Sequence, residues 1–435
     1  MTEVIITAIL SCSALAALVL IKPGIEIKGK RISIYWLAPL TGALVLLFSG
    51  LITPGEFIAG LTSSGEMNPI KILILFLSMT IISVFLDNAG FFRYLAGKAL
   101  ARSNGGQKSL FNMLYLMVSV LTVFTSNDII ILTFTPFICY FAFNAEIDPL
   151  PYLIAEFIAA NTWSMVLIIG NPTNIYLASS AGISFFRYVM TMILPTIAAG
   201  AVSFLLLRLI FAKKLDKPIA HTNSNAQFED KGLVVIGLIH LIGCMVLLSI
   251  GSYISLPMWI IAFGFCISLL LVTMLYLFIT STKEPIISST LKRAPLDVIP
   301  FVLSMFALVL ACDKFGITEA LAGFLDTGSR ANIFTFGAAS FLTANVINNI
   351  PMSVLFSSII ENVSMTGRTS ALYASVIGSN IGAFFTPMGA LAGIMWMDLL
   401  KHHKVRLSFL QFIKYGAVIA VLTLAAALGT LYLLS

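Results

Sequence analysis

Two short polar patches interrupt otherwise apolar sequence, and each has a counterpart in the other half of the chain. Thr125-Ser126-Asn127-Asp128 breaks the run Met113 to Phe143, and Asn345-Val346-Ile347-Asn348-Asn349 breaks the run Ile333 to Ile360. A bilayer core penalises polar side chains and unpaired backbone, so such a break marks a re-entrant hairpin tip held inside protein or facing water. Two matching tips in two matching halves imply a carrier with its binding site between repeats. Composition agrees. Hydrophobic residues make up 59% of the chain and charged residues 10%, against about 25% charged in a soluble domain.

The expected spans are 3–21, 33–53, 69–87, 152–180, 187–212, 232–250, 257–280, 295–313, 370–396 and 409–433, with hairpins at 109–143 and 331–362. Each span is near the roughly 20 residues that cross a bilayer. Gly170-Asn171-Pro172-Thr173-Asn174 interrupts the span 152–180, and Thr386-Pro387-Met388-Gly389 interrupts 370–396. The run Val4 to Ile21 lacks a basic leader and a small-x-small cleavage site, so it reads as the first span. The fold class is an all-α polytopic membrane protein with about ten transmembrane helices and two re-entrant helical hairpins.

The halves repeat. Pro69 to Gly97 aligns without gaps on Pro295 to Gly323, with Leu77-Ser78-Met79 on Leu303-Ser304-Met305 and Asp87 on Asp313. Asn127 falls opposite Asn348, and Asn161 and Gly170 fall opposite Asn380 and Gly389 with equal spacing. An odd number of full spans per half turns the second copy upside down. The expected organisation is two inverted repeats, 1–212 and 232–435, joined by a cytoplasmic linker, 213–231. Lys and Arg cluster in five loops on one side, around 22–31, 93–108, 213–231, 283–293 and 401–406. That side is expected to be cytoplasmic, which puts both termini outside the cell membrane. The acidic turn at Glu146 and Asp148 falls on the inside as a weak exception. The net charge of +6 is a loop effect and does not call for nucleic acid. The five cysteines show no metal-ligand spacing and read as packing residues.

Asp128 is the acid placed nearest the bilayer centre, where a charge costs about 2.5–3.5 kcal/mol. It reads as a titratable or cation-binding carboxylate; the plain alternative is a helix N-cap. Asn127, Asn161, Asn348, Asn349 and Asn380 form a set of amides, which both donate and accept without charge. With Ser126 and Thr386 they are candidate substrate ligands; capping and interhelical hydrogen bonding is their plain alternative. Gly170, Asn171, Thr173, Asn174 and Gly389, at the helix breaks, join Asp128, Ser126 and Asn127 as candidate ion-coupling residues. Freed carbonyls there can coordinate a cation. No Lys or Arg lies deep in a span near the tips, and no Walker-type phosphate loop is present. Glu156 and His240 stand out in apolar segments and read more simply as core groups than as pathway-lining ones. No resident cofactor is expected beyond a bound sodium ion or a transported proton.

At Leu86-Asp87-Asn88-Ala89-Gly90-Phe91-Phe92, Ser126-Asn127-Asp128, Ile347-Asn348-Asn349-Ile350-Pro351 and Thr386-Pro387-Met388-Gly389-Ala390-Leu391-Ala392, the chain resembles the ion transporter superfamily. Within it, the arsenical-efflux permeases are most similar. The resemblance implies a scaffold and a transport domain, hairpins meeting at a central site, and secondary active transport. Arsenical permeases export arsenite and antimonite on the proton gradient, some with a soluble ATPase partner; a homodimer is also implied. The chain departs where such permeases carry Asp, at Asn161 and Asn380. Its Gly170-to-Asn174 segment is closer to sodium-coupled dicarboxylate and citrate carriers and to sodium/proton antiporters. In those dicarboxylate carriers the tips read Ser-Asn-Thr and help hold sodium.

Three transport readings follow: metalloid export, sodium-coupled carriage of a small carboxylate or other anion, and sodium/proton antiport. A passive channel is disfavoured by the inverted hairpins. An intramembrane enzyme is disfavoured because no nucleophile–base constellation is visible.

Overall fold

The computed structural model describes residues 1–21, 24–27, 30–62, 68–101, 106–216, 228, 230–251, 253–282 and 284–435. Most of the linker expected at 213–231 lies outside these residues. Among the described residues the chain folds into twenty helices, ten in each half. The first ten are α1 (Thr2–Ile21), α2 (Leu37–Phe48), α3 (Pro54–Thr62), α4 (Pro69–Asn88), α5 (Phe91–Ala101), α6 (Gln107–Phe124), α7 (Asn127–Asn144), α8 (Leu150–Trp163), α9 (Pro172–Ser180) and α10 (Phe185–Ile210). The second ten are α11 (Lys231–Gly251), α12 (Met258–Thr280), α13 (Ile286–Arg293), α14 (Val298–Lys314), α15 (Ile317–Leu325), α16 (Asn332–Ile347), α17 (Asn349–Glu361), α18 (Met365–Gly382), α19 (Leu391–His402) and α20 (Phe409–Leu434).

This is a multi-pass membrane protein. Eight segments are long and apolar enough to cross a bilayer, and Thr2–Leu18, Leu37–Phe48 and Asn332–Ile347 are shorter apolar helices. One exception to the all-helical expectation is an antiparallel pair, β1 (Gly24–Ile27) and β2 (Lys30–Ser33). Ile25, Ile27 and Ile32 alternate there with Glu26 and Arg31, the period-two pattern of a strand. The span expected at 33–53 is also corrected. α2 has 12 residues, about 18 Å of helix, and the short α3 follows it.

Packing repeats between the halves. α4 packs on α12 as α14 packs on α2; α6 packs on α8 as α16 packs on α18. α7, the second leg of the first hairpin, packs on α19, while α17, the second leg of the other, packs on α9. Each hairpin therefore leans on the restarted helix of the opposite half. At the centre, α8 is buried from Pro151 to Thr162 and α18 from Ala371 to Gly382. By contrast α10, α11, α12 and α20 keep broad exposed apolar faces for lipid, with side chains such as Leu209, Phe278 and Leu433. The polar breaks thus follow two deeply enclosed helices. Lys214 pairs with Asp148 at 2.6 Å, which puts the acidic turn beside a residue of the basic side.

Local chemistry sets the starts. Asn68 accepts from the backbone N–H of Ile70 and Lys71 and is followed by Pro69 at the first position of α4, where proline's missing donor costs nothing. Asn171 accepts from Thr173 N–H and is followed by Pro172. Ser408 and Gln411 form a reciprocal capping box at α20.

Candidate functional site

Both broken helices restart in the same way. α8 ends at Trp163, and the chain passes through a single 3-10 turn, Ile168–Gly170, to an extended Asn171 (φ −152°) before α9. α18 ends at Gly382, and the chain reaches an extended Ala390 (φ −147°) before α19. The breaks therefore begin earlier than the sequence motifs at Gly170 and Thr386. A Cβ on Gly170 would sit 2.3 Å from the Ser164 carbonyl oxygen, and one on Gly389 would sit 2.2 Å from that of Gly382. Each glycine allows its loop to fold back onto the end of its own helix.

The paired amides meet. Asn127 Nδ2, at the first tip, donates to Asn161 Oδ1 at 3.0 Å. The Ser164 hydroxyl is 2.9 Å from the Asn161 carbonyl and 2.8 Å from Asn380 Oδ1. Asn171 Nδ2 donates to the same Asn380 Oδ1 at 2.9 Å, and Asn380 Nδ2 donates to Asn174 Oδ1 at 2.7 Å and to the Val376 carbonyl at 2.8 Å. Asn380 thereby fills both acceptor positions and both donor positions of its amide. It joins the halves and has nothing left for a solute.

The second tip is tied internally. Asn345 Nδ2 donates to the carbonyls of Phe341 and Gly382, and its Oδ1 accepts from both the N–H and the hydroxyl of Thr386. The Thr386 hydroxyl in turn accepts from Met388 N–H at 3.2 Å. Asn348 Nδ2 donates to the Met388 carbonyl at 3.1 Å. Asn348 adopts φ +76° and ψ +156°, a region that is strained for any side chain. Its Oδ1 reaches Ile350 N–H at 3.5 Å across the start of α17.

At the first tip Asp128 caps nothing. It is the second residue of α7, with Ser126 in the cap position and no side-chain cap bond. Among the described residues no hydrogen bond or ion pair of Asp128 is formed. Instead Ser126, Asp128 and Ile129 line a cavity of about 490 Å³ with Ile350 from the other tip. Thr80 of α4 and Met395 of α19 also border it, and it runs to Lys292, Arg293 and Asp297. Arg293 is engaged at the mouth: it donates to Asp87 Oδ2 at 2.6 Å and to Asn88 Oδ1.

Several buried oxygens around this centre lack a hydrogen-bond partner: Asn127 Oδ1, Thr162 Oγ1 and Thr173 Oγ1 from the first half, Asn349 Oδ1 and Ser379 Oγ from the second. Leaving one unmet costs about 1–3 kcal/mol. Neutral oxygens are the ligand type a hard cation such as sodium takes. Among the described residues no cluster of three or more His, Cys, Asp or Glu could hold a metal.

The pattern of the citrate transporter family CitMHS matches residues 16–375. The chain belongs to that family. It is also 27% identical over 430 residues to the arsenical pump membrane protein of Escherichia coli (strain K12), covering 93% of this chain and 94% of that one. A putative arsenical pump membrane protein of Bacillus subtilis (strain 168) is 25% identical over 425 residues, with 90% and 92% covered. Among solved structures, the Alcanivorax borkumensis YdaH transporter aligns with a TM-score of 0.58 at 13% identity, covering 99% of this chain and 97% of that one. Neisseria gonorrhoeae MtrF, described with a class of antimetabolite efflux pumps, aligns at 0.54 and 15% identity, with 99% and 94% covered. These likenesses bear on the fold. The resemblance to the ion transporter superfamily and its arsenical branch, read from the motifs, is borne out.

Sequence reasoning singled out Asn127, Asn161, Asn171, Asn174 and Asn380, and these five do form one network. It missed Ser164, which bridges the paired amides, and gave no site role to Asn345. The signal for Ser164 was a hydroxyl three residues after Asn161, in the last turn before a break.

Proposed function

We propose that this protein is a secondary active transporter that exports an arsenite- or antimonite-type metalloid across the cell membrane, coupled to an ion gradient. The observation that carries the reading is the cavity bordered by Ser126 and Asp128 of one tip and Ile350 of the other. As(OH)3 is neutral and polyol-like at pH 7, so hydroxyls, amides and one carboxylate suit it better than fixed cations would. The arsenical pump relatives support the same substrate class. In this reading the two halves are inverted repeats, Asn380 and Ser164 hinge them together, and the rocking of the hairpins exposes the cavity to each side in turn. Asn127, Thr162 and Thr173 would hold a coupling sodium, whose charge would balance Asp128. A homodimer and a soluble arsenical ATPase partner are further proposals that follow from the resemblance.

A second reading, sodium-coupled carriage of a small carboxylate, is favoured by Lys292 and Arg293 on the cavity wall and by the family's citrate transporter description. Arg293, however, is already paired with Asp87. Purified protein in vesicles decides between them. Arsenite flux driven by an imposed proton or sodium gradient is the result we expect; sodium-driven citrate or succinate flux without arsenite flux favours the second reading. Flux of neither kind under any gradient sinks both.

A further inference from the structure

Glu156 lies in the middle of α8 and is 1% exposed. Its two carboxyl oxygens are both 3.0 Å from the hydroxyl of Thr135 on α7, itself fully buried. One hydroxyl proton cannot serve two oxygens. The other donors near it are the Thr135 backbone N–H and Trp396 Nε1 of α19, and neither makes a well-formed hydrogen bond to the carboxyl. No charged group from α6, α7, α10, α18 or α19 acts on Glu156 among the described residues; the Cys139 thiol of α7 is the one titratable neighbour. Removing an ionised carboxylate from water costs several kcal/mol even after relaxation, and the Thr135 and Trp396 donors, with no positive charge beside them, offset only part of it. A proton on Glu156 resolves both deficits: it removes the charge and supplies the second hydrogen bond to Thr135.

The location matters as much as the burial. Three elements meet at this carboxyl: α7 from the first hairpin, α8 from the first broken helix, and α19 from the second. Phe157 and Trp396 stack beside it with ring centroids 4.8 Å apart, and α7 packs directly on α19. Met395, the residue before Trp396, lines the central cavity. A motion that reshapes the cavity by moving α7 of the first hairpin against α19 therefore changes the surroundings of Glu156.

We infer that Glu156 is an occluded proton-carrying site, distinct from the Asp128 tip, which is loaded in this conformation and gives its proton to water when α7 and α19 part. This rests on the ion-coupled reading above and adds to its sodium site a separate group that carries a proton. The step is a simple transfer: the Glu156 O–H bond breaks, the proton leaves as hydronium, and the carboxylate is hydrated until it is reprotonated on the other side.

Two readouts test it. Infrared spectroscopy of the purified protein at neutral pH should show the carbonyl stretch of a protonated carboxylic acid, lost in Glu156→Gln. In vesicles, Glu156→Gln should keep arsenite-for-arsenite exchange, which needs no net proton movement, and lose the response of flux to a pH gradient. Thr135→Val, which keeps the carboxyl, should retain both the band, shifted in frequency, and the pH response. An infrared band unchanged in Glu156→Gln, or a pH-gradient response equal to wild type, overturns the inference. If wild-type protein moves no arsenite, the substrate reading has failed, and the infrared band still decides whether Glu156 holds a proton.

Discussion

The two hairpin tips occupy matching places in the chain and do different work. The second spends most of its polar groups on the protein, the Asn349 side-chain oxygen excepted. Asn345 makes four hydrogen bonds to Phe341, Gly382 and Thr386, and Asn348 accepts a strained backbone to reach Met388. The first leaves Ser126 and Asp128 on the wall of the cavity, with one amide bond from Asn127 holding the tip to Asn161. Of the two tips, one acts as a clamp within the protein while the other lines the cavity with a hydroxyl and a carboxylate.

That contrast can be broken by substitution. The largest effect is expected at Asp128→Asn, which should abolish gradient-driven flux while changing unfolding stability by less than about 1 kcal/mol, because no hydrogen bond is lost. Vesicle flux and a thermal melt check both parts, and an active variant would refute a coupling role for the first tip. Asn345→Ala should do the reverse. It removes the acceptor of the Thr386 N–H and hydroxyl proton in a part-buried place, and one of the bonds to the Gly382 carbonyl, and should cost about 3 kcal/mol, seen as a lower melting temperature before any measurement of flux. At Asn348 the positive φ predicts an ordering: glycine should be tolerated better than alanine by about 1–2 kcal/mol, although both lose the bond to Met388. Equal melts for the two would show that the backbone there is relaxed.

The smallest effect lies outside the membrane. Glu56, at the start of α3, is held down to about 2 by Lys314 and by the N–H and hydroxyl of Thr53. Its carboxyl is depressed relative to the unfolded chain, so its contribution is present above the ordinary carboxylate range and fades as pH falls toward 2. The pair is exposed, and its contribution is small. A melt followed from pH 6 to pH 2 should fall slightly less steeply in Lys314→Met than in wild type, with flux at pH 7 unaffected.

Much of the architecture was legible because a bilayer restricts which patterns can exist. Apolar runs near 20 residues gave most spans, and the paired polar breaks gave the hairpins and broken helices. The equal spacing from Asn161 to Gly170 and from Asn380 to Gly389 reflects a similar backbone manoeuvre, each glycine pressed against a carbonyl two or three residues beyond its asparagine. Short elements were harder to see. α3, α5, α13 and α15 carry only about two to three turns, too few for periodicity to stand out. The roles of the amides were legible as a group and not singly. Whether an asparagine faces a solute or another helix depends on neighbours distant in sequence: Asn380 is consumed by Ser164, Asn171 and Asn174, whereas Asn127 keeps a buried oxygen with no partner. Glu156 looked like a core group for the same reason. Its environment is built by Thr135 and Trp396, on helices that sequence order does not bring together.

The central idea is that tips from opposite halves border one cavity. Ser126→Cys and Ile350→Cys, introduced together after replacing the five native cysteines with alanine, test it with a short bifunctional maleimide. The account predicts an intramolecular cross-link that stops transport and forms in neither single variant. If each cysteine can be labelled singly and no cross-link ever forms between them, the tips do not share a cavity and the carrier mechanism built on them is wrong.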